Sequence, residues 1–336
     1  MIDQVKLLEL YLKAKFSEKN GLSIIRLEKL RDGWESDNYL LTVDYGSARI
    51  TREEMVWRIY SGEGSQAKAV REFTSLKQLM AAGYPVPQVY LLETEGSLMG
   101  RPFIIMEYVQ GEMMWELIDL APADRREHLI DQFCQLFTQL HGLDWKQFAV
   151  NLMVEDPYTF IDRWLKEARE VLPHFPEVEA VPFLEWVATR HGWFACKSPS
   201  PVHHDFHPGN VLIKKDGSAV VIDWTGFQVT DYRFDLAWTL VLAMAYRGSE
   251  LRNQILQGYQ QHVGRPVEQI EAFEAIACAR RLFDLTVSLT KGADRMGMNP
   301  QAAKAMRADM EPHRRVYDLF THRTGLHIEA FDNLFG

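Results

Sequence analysis

Short apolar runs bounded by polar and glycine-containing turns follow one another along the first third of the chain, and helical patterns interrupt them. Strands are predicted at 23–27, 39–43, 55–60, 88–92 and 102–109. In residues 3–16 and 65–82 the apolar positions instead recur every three or four residues, and Gly83 ends the second of these helices. The pattern predicts an antiparallel sheet of about five strands with one long helix inserted.

After Gly111 the helical pattern dominates. Helices are predicted at 113–119, 122–142, 158–171, 178–191, 231–247, 249–262, 267–291 and 300–323. Two short apolar strands interrupt them between 201 and 224. The predicted fold class is α+β, with a β-rich first lobe over residues 1–108 and a larger, mainly helical second lobe over 109–336.

Composition narrows the class of protein. The 336 residues are 47% hydrophobic and 25% charged, which is typical of a globular protein. A net charge of −9 argues against a nucleic-acid partner. The three cysteines have no metal-ligand spacing, and neither a signal peptide nor a membrane-spanning run is present in the sequence. We therefore expect a soluble, cytoplasmic protein without a membrane partner.

Polar side chains cluster in the region of the two short strands. Asp205 and Asn210 bracket a turn at Pro208 and Gly209, and Asp223 ends the next apolar run. Rigid strands can bring such loop residues to one point. The spacing of His203, Asp205 and Asn210 matches H-x-D-x-x-x-x-N, the catalytic loop of kinases, with a later metal-binding aspartate.

The run over 201–210 resembles the catalytic loop of the aminoglycoside phosphotransferase and choline kinase family, which often reads H-G-D-x-H-P-G-N. Trp224 follows Asp223, as is usual in this small-molecule branch, in the segment 220–225. The resemblance implies a bilobal protein-kinase-like fold and transfer of the γ-phosphate of ATP to a small-molecule hydroxyl. It further implies that Asp205 acts as the base or orients the hydroxyl, with Mg²⁺ held by Asn210 and Asp223.

The same resemblance assigns residues to ATP. Arg58 stands where kinases place the lysine that pairs with the α- and β-phosphates, and Glu72 is its expected ion-pair partner. Ser36, with the hairpin tip at 33–38, is expected to cover the phosphates, although no glycine-rich G-x-G-x-x-G motif is present. The hinge that reads adenine is expected at Met106, Glu107 and Val109.

Other polar residues of this region are expected to be structural. His203 braces the loop through a hydrogen bond, and His207 contacts phosphate or holds the turn. His204 stands where the family commonly has glycine, so the local backbone or the pocket shape is expected to differ. Asp235 is expected to cap the following helix and brace the loop, and Asp231 to do likewise.

The acceptor stays open at this point. Aminoglycosides, choline-like amines, homoserine and sugar alcohols are all compatible with the motifs, and an amine-bearing sugar or alcohol would suit an acidic protein. Glu274, Asp284 and Asp294 could recognise an amine, although a solvated helix face or core-edge pairing is the favoured explanation of each. The alternative to an enzyme is a nucleotide-binding pseudokinase with a regulatory or scaffold role.

Overall fold

The described residues form two compact units. The computed structural model describes residues 2–16, 21–30, 36–46, 52–62, 64–95, 100–149, 159–176, 180–292 and 301–335. The first unit comprises Met1–Gly111 and Leu212–Thr225, and the second comprises Glu112–Val211 and Gly226–Gly336. Asp223 belongs to the first unit, while Asp205 and Asn210 belong to the second. The lobe boundary between 108 and 109 stays a prediction.

A five-stranded antiparallel sheet forms most of the first unit. Its elements are α1 (Ile2–Lys15), β1 (Ser23–Lys29), β2 (Ser36–Asp44), β3 (Arg52–Tyr60), α2 (Ser65–Ala81), β4 (Val89–Glu93) and β5 (Phe103–Glu107). The strands lie in the order β1-β2-β3-β5-β4. The prediction of about five strands with one inserted helix is confirmed.

Helix α1 packs on this sheet through one face. Leu8 and Leu12 are fully buried with Trp57 and Phe103 in one cluster, whereas Leu10 is 63% exposed. A short hairpin completes the unit, formed by β8 (Val211–Ile213) and β9 (Ala219–Val221). It is tied to the loop after α2 by the Val221 N–H, which donates to the Pro85 carbonyl at 2.9 Å. This bond positions the segment that carries Asp223.

The second unit is mainly helical. Its elements are β6 (Glu112–Met113), α3 (Met114–Leu120), α4 (Ala123–His141), α5 (Thr159–Val171), α6 (Val181–Thr189), β7 (Ser200–Val202), β10 (Gln228–Thr230), α7 (Tyr232–Arg247), α8 (Ser249–Val263), α9 (Ile270–Thr290), α10 (Gln301–Ala308), α11 (Glu311–Thr324) and α12 (Glu329–Phe335). Strand β7 pairs antiparallel with β10. None of the described helices is both long and apolar enough to cross a bilayer.

One predicted helix is wrong. The pattern over 300–323 predicts a continuous helix, but the structure has α10 and α11 there. Pro312 lies in the first turn of α11, where its missing N–H costs no helical hydrogen bond, whereas inside a longer helix it would. Residues 158, 178–179 and 300, where predicted helices begin, lie outside the described part of the chain.

Candidate active site

Asp235 holds the loop that follows β7. Its carboxylate lies in the first turn of α7, is fully buried, and accepts the backbone N–H of His203 at 2.7 Å and of His204 at 2.9 Å. His141 Nε2 lies 3.4 Å from the same carboxylate. Burial alone would raise the pKa of Asp235, but the hydrogen bond and charge of His141 outweigh it and lower the pKa. The loop is therefore braced by an ionised side chain.

The cap of α7 is a different residue. Asp231 is the N-cap, and its carboxylate accepts the Arg233 N–H at 2.9 Å. The prediction that Asp235 caps the helix is wrong, because Asp235 lies inside the first turn. The Arg233 side chain also pairs with Asp231 at 2.6 Å and donates to the Ala195 carbonyl. Asp231 therefore supports the start of α7, and Asp235 supports the loop.

Phe206 anchors the loop on its apolar side. Its ring is fully buried and stacks on Phe137 of α4 at a centroid distance of 4.2 Å. Phe133 lies 5.1 Å away, and the Thr239 hydroxyl donates to the Phe206 carbonyl. Because Phe206 points into the core, its neighbour Asp205 is directed away from it.

Asp205 is partly exposed and well supplied with hydrogen-bond donors. The side chain is 44% exposed, and the Trp238 indole N–H donates to Oδ1 at 2.7 Å. Asn210 Nδ2 donates to the Asp205 carbonyl at 2.9 Å, and His207 Nε2 lies 3.6 Å from Oδ2. Partial burial would raise the pKa of Asp205, but His207 and Trp238 outweigh it and hold the pKa below its usual range. Asp205 is therefore ionised at neutral pH.

Two histidines shape the loop through their ring nitrogens. His203 Nδ1 accepts the Asp205 N–H at 3.2 Å, and His207 Nδ1 accepts the Gly209 N–H at 3.1 Å. A Cβ on Gly209 would lie 2.8 Å from the His207 ring, so a larger residue here would require that ring to move. His203 thus makes a bracing hydrogen bond of the predicted kind.

His204 occupies a backbone conformation in which glycine is favoured. Its φ is 68°, in the left-handed region. The imidazole contacts the Gln228 side-chain amide, and the His204 carbonyl accepts a hydrogen bond from Arg280 at 3.2 Å. Burial lowers the pKa of His204 to about 4, so the ring is neutral at pH 7. The loop therefore tolerates a histidine where glycine would be less strained.

In the first unit, Arg58 bridges two carboxylates. It is 7% exposed, its Nε lies 3.3 Å from Glu72 Oε2, and its NH2 donates to Asp223 Oδ1 at 2.7 Å. Glu72 also accepts from the Tyr60 hydroxyl and from the Trp224 N–H at 3.3 Å. Burial would lower the pKa of Arg58, but Asp223 and Glu72 raise it above its ordinary value. Arg58 is permanently charged.

The sequence did not predict the contact between Arg58 and Asp223. The two residues are separated by 165 positions, and neither motif indicates that the other is its partner. Asp223 has a φ of 69°, and such backbone strain is concentrated at functional sites. The side chain is 38% exposed, so part of its carboxylate remains accessible.

The residues predicted to form the hinge lie at the end of β5 and just after it. Met106 is paired within the sheet, opposite Val56 and Val89. The Glu107 N–H donates to the Gln88 carbonyl at 2.7 Å, and its carboxylate accepts the Gln88 N–H at 3.1 Å. Val109 follows the strand and is buried.

Ser36 is buried at the beginning of β2, opposite Tyr60 of β3. The rest of the predicted hairpin tip, residues 33–35, lies outside the described part of the chain. Ser36 therefore lies on the strand next to the one that carries Arg58. Its role toward phosphate stays a prediction.

Of the acidic candidates for amine recognition, Glu274 and Asp284 both lie on α9. Glu274 is fully buried and pairs with Arg252 at 2.7 Å and Arg323 at 2.9 Å. These two cations satisfy its charge, which agrees with the structural interpretation of Glu274. Asp284 is half-buried on α9, and Asp294 lies outside the described residues.

Comparison with known proteins decides the family. A model described as the phosphotransferase enzyme family matches residues 26–270. The chain belongs to this family. The matched region, residues 26–270, is therefore a phosphotransferase domain.

Solved structures of similar fold agree. A protein of Ralstonia eutropha JMP134 assigned as an aminoglycoside phosphotransferase has a TM-score of 0.67 at 17% identity, covering 96% of this phosphotransferase and 99% of that chain. The ternary complex of APH(2")-IIa with streptomycin and ATP has a TM-score of 0.57 at 18% identity, covering 83% and 89%. LicA in complex with AMP also has a TM-score of 0.57, at 17% identity, covering 94% and 99%. These similarities confirm the protein-kinase-like fold.

Curated relatives are much longer proteins. Mouse acyl-CoA dehydrogenase family member 10 is 28% identical over 182 residues, covering 50% of this phosphotransferase and 16% of the relative. Rat acyl-CoA dehydrogenase family member 11 is 26% identical over 237 residues, covering 65% and 28%. The chain thus spans less than a third of the length of these relatives.

Proposed function

We propose that this phosphotransferase moves the γ-phosphoryl group of ATP to a hydroxyl of a small molecule bound beside Asp205. The observation that carries the proposal is the Asp205 carboxylate, which is ionised, partly exposed, and held by Trp238 and the braced loop. A carboxylate of this kind can accept a hydrogen bond from the acceptor hydroxyl and orient its oxygen toward phosphorus.

The lowered pKa of Asp205 decides its principal role. A carboxylate with a pKa below its usual range is a weak base, so it does not deprotonate an alcohol before the reaction. Phosphoryl transfer passes through a loose transition state in which little charge develops on the attacking oxygen at first. Asp205 therefore orients the hydroxyl and takes its proton as the bond to phosphorus forms.

Asn210 and Asp223 have the donor chemistry that Mg²⁺ requires. The Asn210 amide donates from Nδ2 to the Asp205 carbonyl. This hydrogen bond orients the side chain so that Oδ1 is the atom available to a metal. Arg58 donates a hydrogen bond to Oδ1 of Asp223. The second oxygen of the Asp223 carboxylate can serve as the other metal ligand. One carboxylate and one amide oxygen match the few protein ligands that Mg²⁺ takes beside substrate phosphates. The bound ion would neutralise phosphate charge.

Arg58 is suited to the α- and β-phosphates of ATP. Glu72, which belongs to the same unit, forms an ion pair with Arg58. The Arg58 guanidinium can pair bidentately with phosphate oxygens. Of the predicted hinge residues, Val109 is the best placed to read adenine with its main chain, because the Glu107 N–H is already used by Gln88. Ser36 would donate to a phosphate oxygen. Structures of similar fold that contain ATP, ADP, AMP or GDP support the binding of a nucleotide.

The test is ADP release with Mg·ATP against a panel of aminoglycosides, choline, homoserine, sugar alcohols and simple diols. Asp205→Asn should lower kcat about 10²-fold or more with the best acceptor, while Mg·ATP binding is kept. Asp223→Ala should remove the Mg²⁺-dependent part of ATP binding. Asp216→Asn, in the exposed β8–β9 turn, is the control and should match the wild type.

Two results would contradict the proposal. Wild-type turnover in Asp205→Asn would exclude the hydroxyl-orienting role. ATP binding without turnover on any acceptor would instead support the pseudokinase.

A further inference from the structure

A cavity with apolar walls lies within the second unit. It has a volume of about 230 Å³ and is enclosed by α5, α6, α9 and the C-terminal segment that contains α12. Its main apolar walls are Trp164, Val171, Phe183, Phe283 and Phe331. Among the described residues that line it, one cation and one carboxylate are present, Arg280 and Glu167. The space suits a ring or a short alkyl chain.

One wall of this cavity contacts the catalytic loop directly. Arg280 donates to the His204 carbonyl at 3.2 Å, and its guanidinium carbon lies 4.0 Å from the centroid of the Trp238 ring. The same indole donates to Asp205 at 2.7 Å. Arg280 and Trp238 therefore link the wall of the cavity to the Asp205 carboxylate. An acceptor that reaches past Arg280 could place its hydroxyl at Asp205.

The charge and polarity of the lining discriminate between acceptors. A polycationic amino sugar would lose hydration of its ammonium groups against aromatic walls and would meet the positive charge of Arg280. An apolar body gains free energy in proportion to the surface that it removes from water. Aromatic walls can also attract a single cation, and the lining carries one charge of each sign, on Arg280 and Glu167. The lining therefore favours neutral molecules with an apolar body over polycations.

We propose that this cavity binds the apolar body of the phosphate acceptor, a neutral alcohol with an alkyl or aryl group. The inference rests on the proposed function, since it places the acceptor hydroxyl at Asp205. It differs from the amine-bearing sugar or alcohol that the sequence suggested.

The experiment measures kcat/KM for the vicinal diols from butanediol to octanediol, with kanamycin and choline for comparison. Each added CH₂ should raise kcat/KM about threefold in the wild type, as burial of a methylene predicts. Ala279→Phe fills the cavity from α9 and should abolish this increase, and Ala168→Leu, which fills it from α5, should reduce it. Arg169→Phe adds the same ring to the exposed side of α5 and should leave the increase unchanged.

A second readout does not need turnover. Anilinonaphthalene sulfonate, an apolar anion, should bind the wild type and Arg169→Phe, should be displaced by octanediol, and should bind at least tenfold more weakly to Ala279→Phe. Phosphorylation of kanamycin or choline to the same extent in all variants, without a chain-length effect, would overturn the inference and keep the proposed function. Displacement of the dye by octanediol without ADP release from any acceptor would overturn both.

Discussion

The hydrogen bond from Trp238 to Asp205 offers a direct test of how the carboxylate proposed to orient the acceptor is held. Trp238→Phe removes the indole N–H, which lies 2.7 Å from Asp205 Oδ1, and keeps an aromatic ring under Arg280. Asp205 would still contact Asn210 and His207. The substitution thus changes one bond of the carboxylate and leaves the loop braced by its backbone contacts.

The magnitude follows from the charge and exposure of the partner. A hydrogen bond to a charged group contributes about 1.5–3 kcal/mol. Because the Asp205 side chain is 44% exposed, water can replace part of this bond, and we expect about 1–2 kcal/mol. That corresponds to a roughly fivefold to thirtyfold decrease in kcat. The pKa of Asp205 should also rise, because the bond stabilises the ionised form.

The assay is the pH dependence of kcat with the best acceptor of the panel. Loss of Asp205 ionisation lowers kcat on the acid side, so a higher pKa should move the acid limb of the profile to higher pH in Trp238→Phe. Trp186→Phe is the matched control, since Trp186 is similarly buried and has Arg190 4.5 Å from its ring centroid, but does not contact Asp205. Equal kcat and the same acid limb in the two variants would refute the reasoning.

Three further predictions concern stability, measured by denaturant unfolding. His204→Gly should change the unfolding free energy by less than about 1 kcal/mol, because relief of the positive φ is offset by greater freedom of the unfolded chain; a loss above about 3 kcal/mol would show that the imidazole is needed. Asp235→Ala should lower the unfolding free energy by about 3–5 kcal/mol, because it leaves the backbone N–H groups of His203 and His204 without their acceptor. A loss below about 1 kcal/mol would contradict the bracing role. His313 is buried with its pKa lowered from 6.5 to about 4 by burial and by Arg281, so the unfolded chain binds its proton first and stability falls as the pH decreases from 6.5 toward 4. In His313→Asn the loss of stability between pH 7 and 5 should be smaller by about 2 kcal/mol, and an unchanged pH dependence would contradict this.

Local patterns were sufficient for most of the elements and for the family. The short apolar runs of the first third predicted the five-stranded sheet, because each strand buries one of its faces or both against neighbouring elements. The H-x-D-x-x-x-x-N spacing was readable because all of its residues lie within one loop between β7 and β8. The division of one predicted helix into α10 and α11 was missed because apolar periodicity continued through Pro312.

Only the tertiary structure decided which distant residues act on that loop. The bonds from Trp238 to Asp205 and from Arg280 to His204 join positions 33 and 76 residues apart, and nothing in the local pattern of α7 or α9 distinguishes these side chains from ordinary helix residues. The same holds for Arg58, whose pairing with Asp223 depends on the β8–β9 hairpin lying in the first unit. The sequence by itself determined the reaction class, since the chemistry is carried by a short contiguous motif. The ionisation of Asp205 and the apolar character of the nearby cavity depend on packing between helices, and packing is a property of the folded chain.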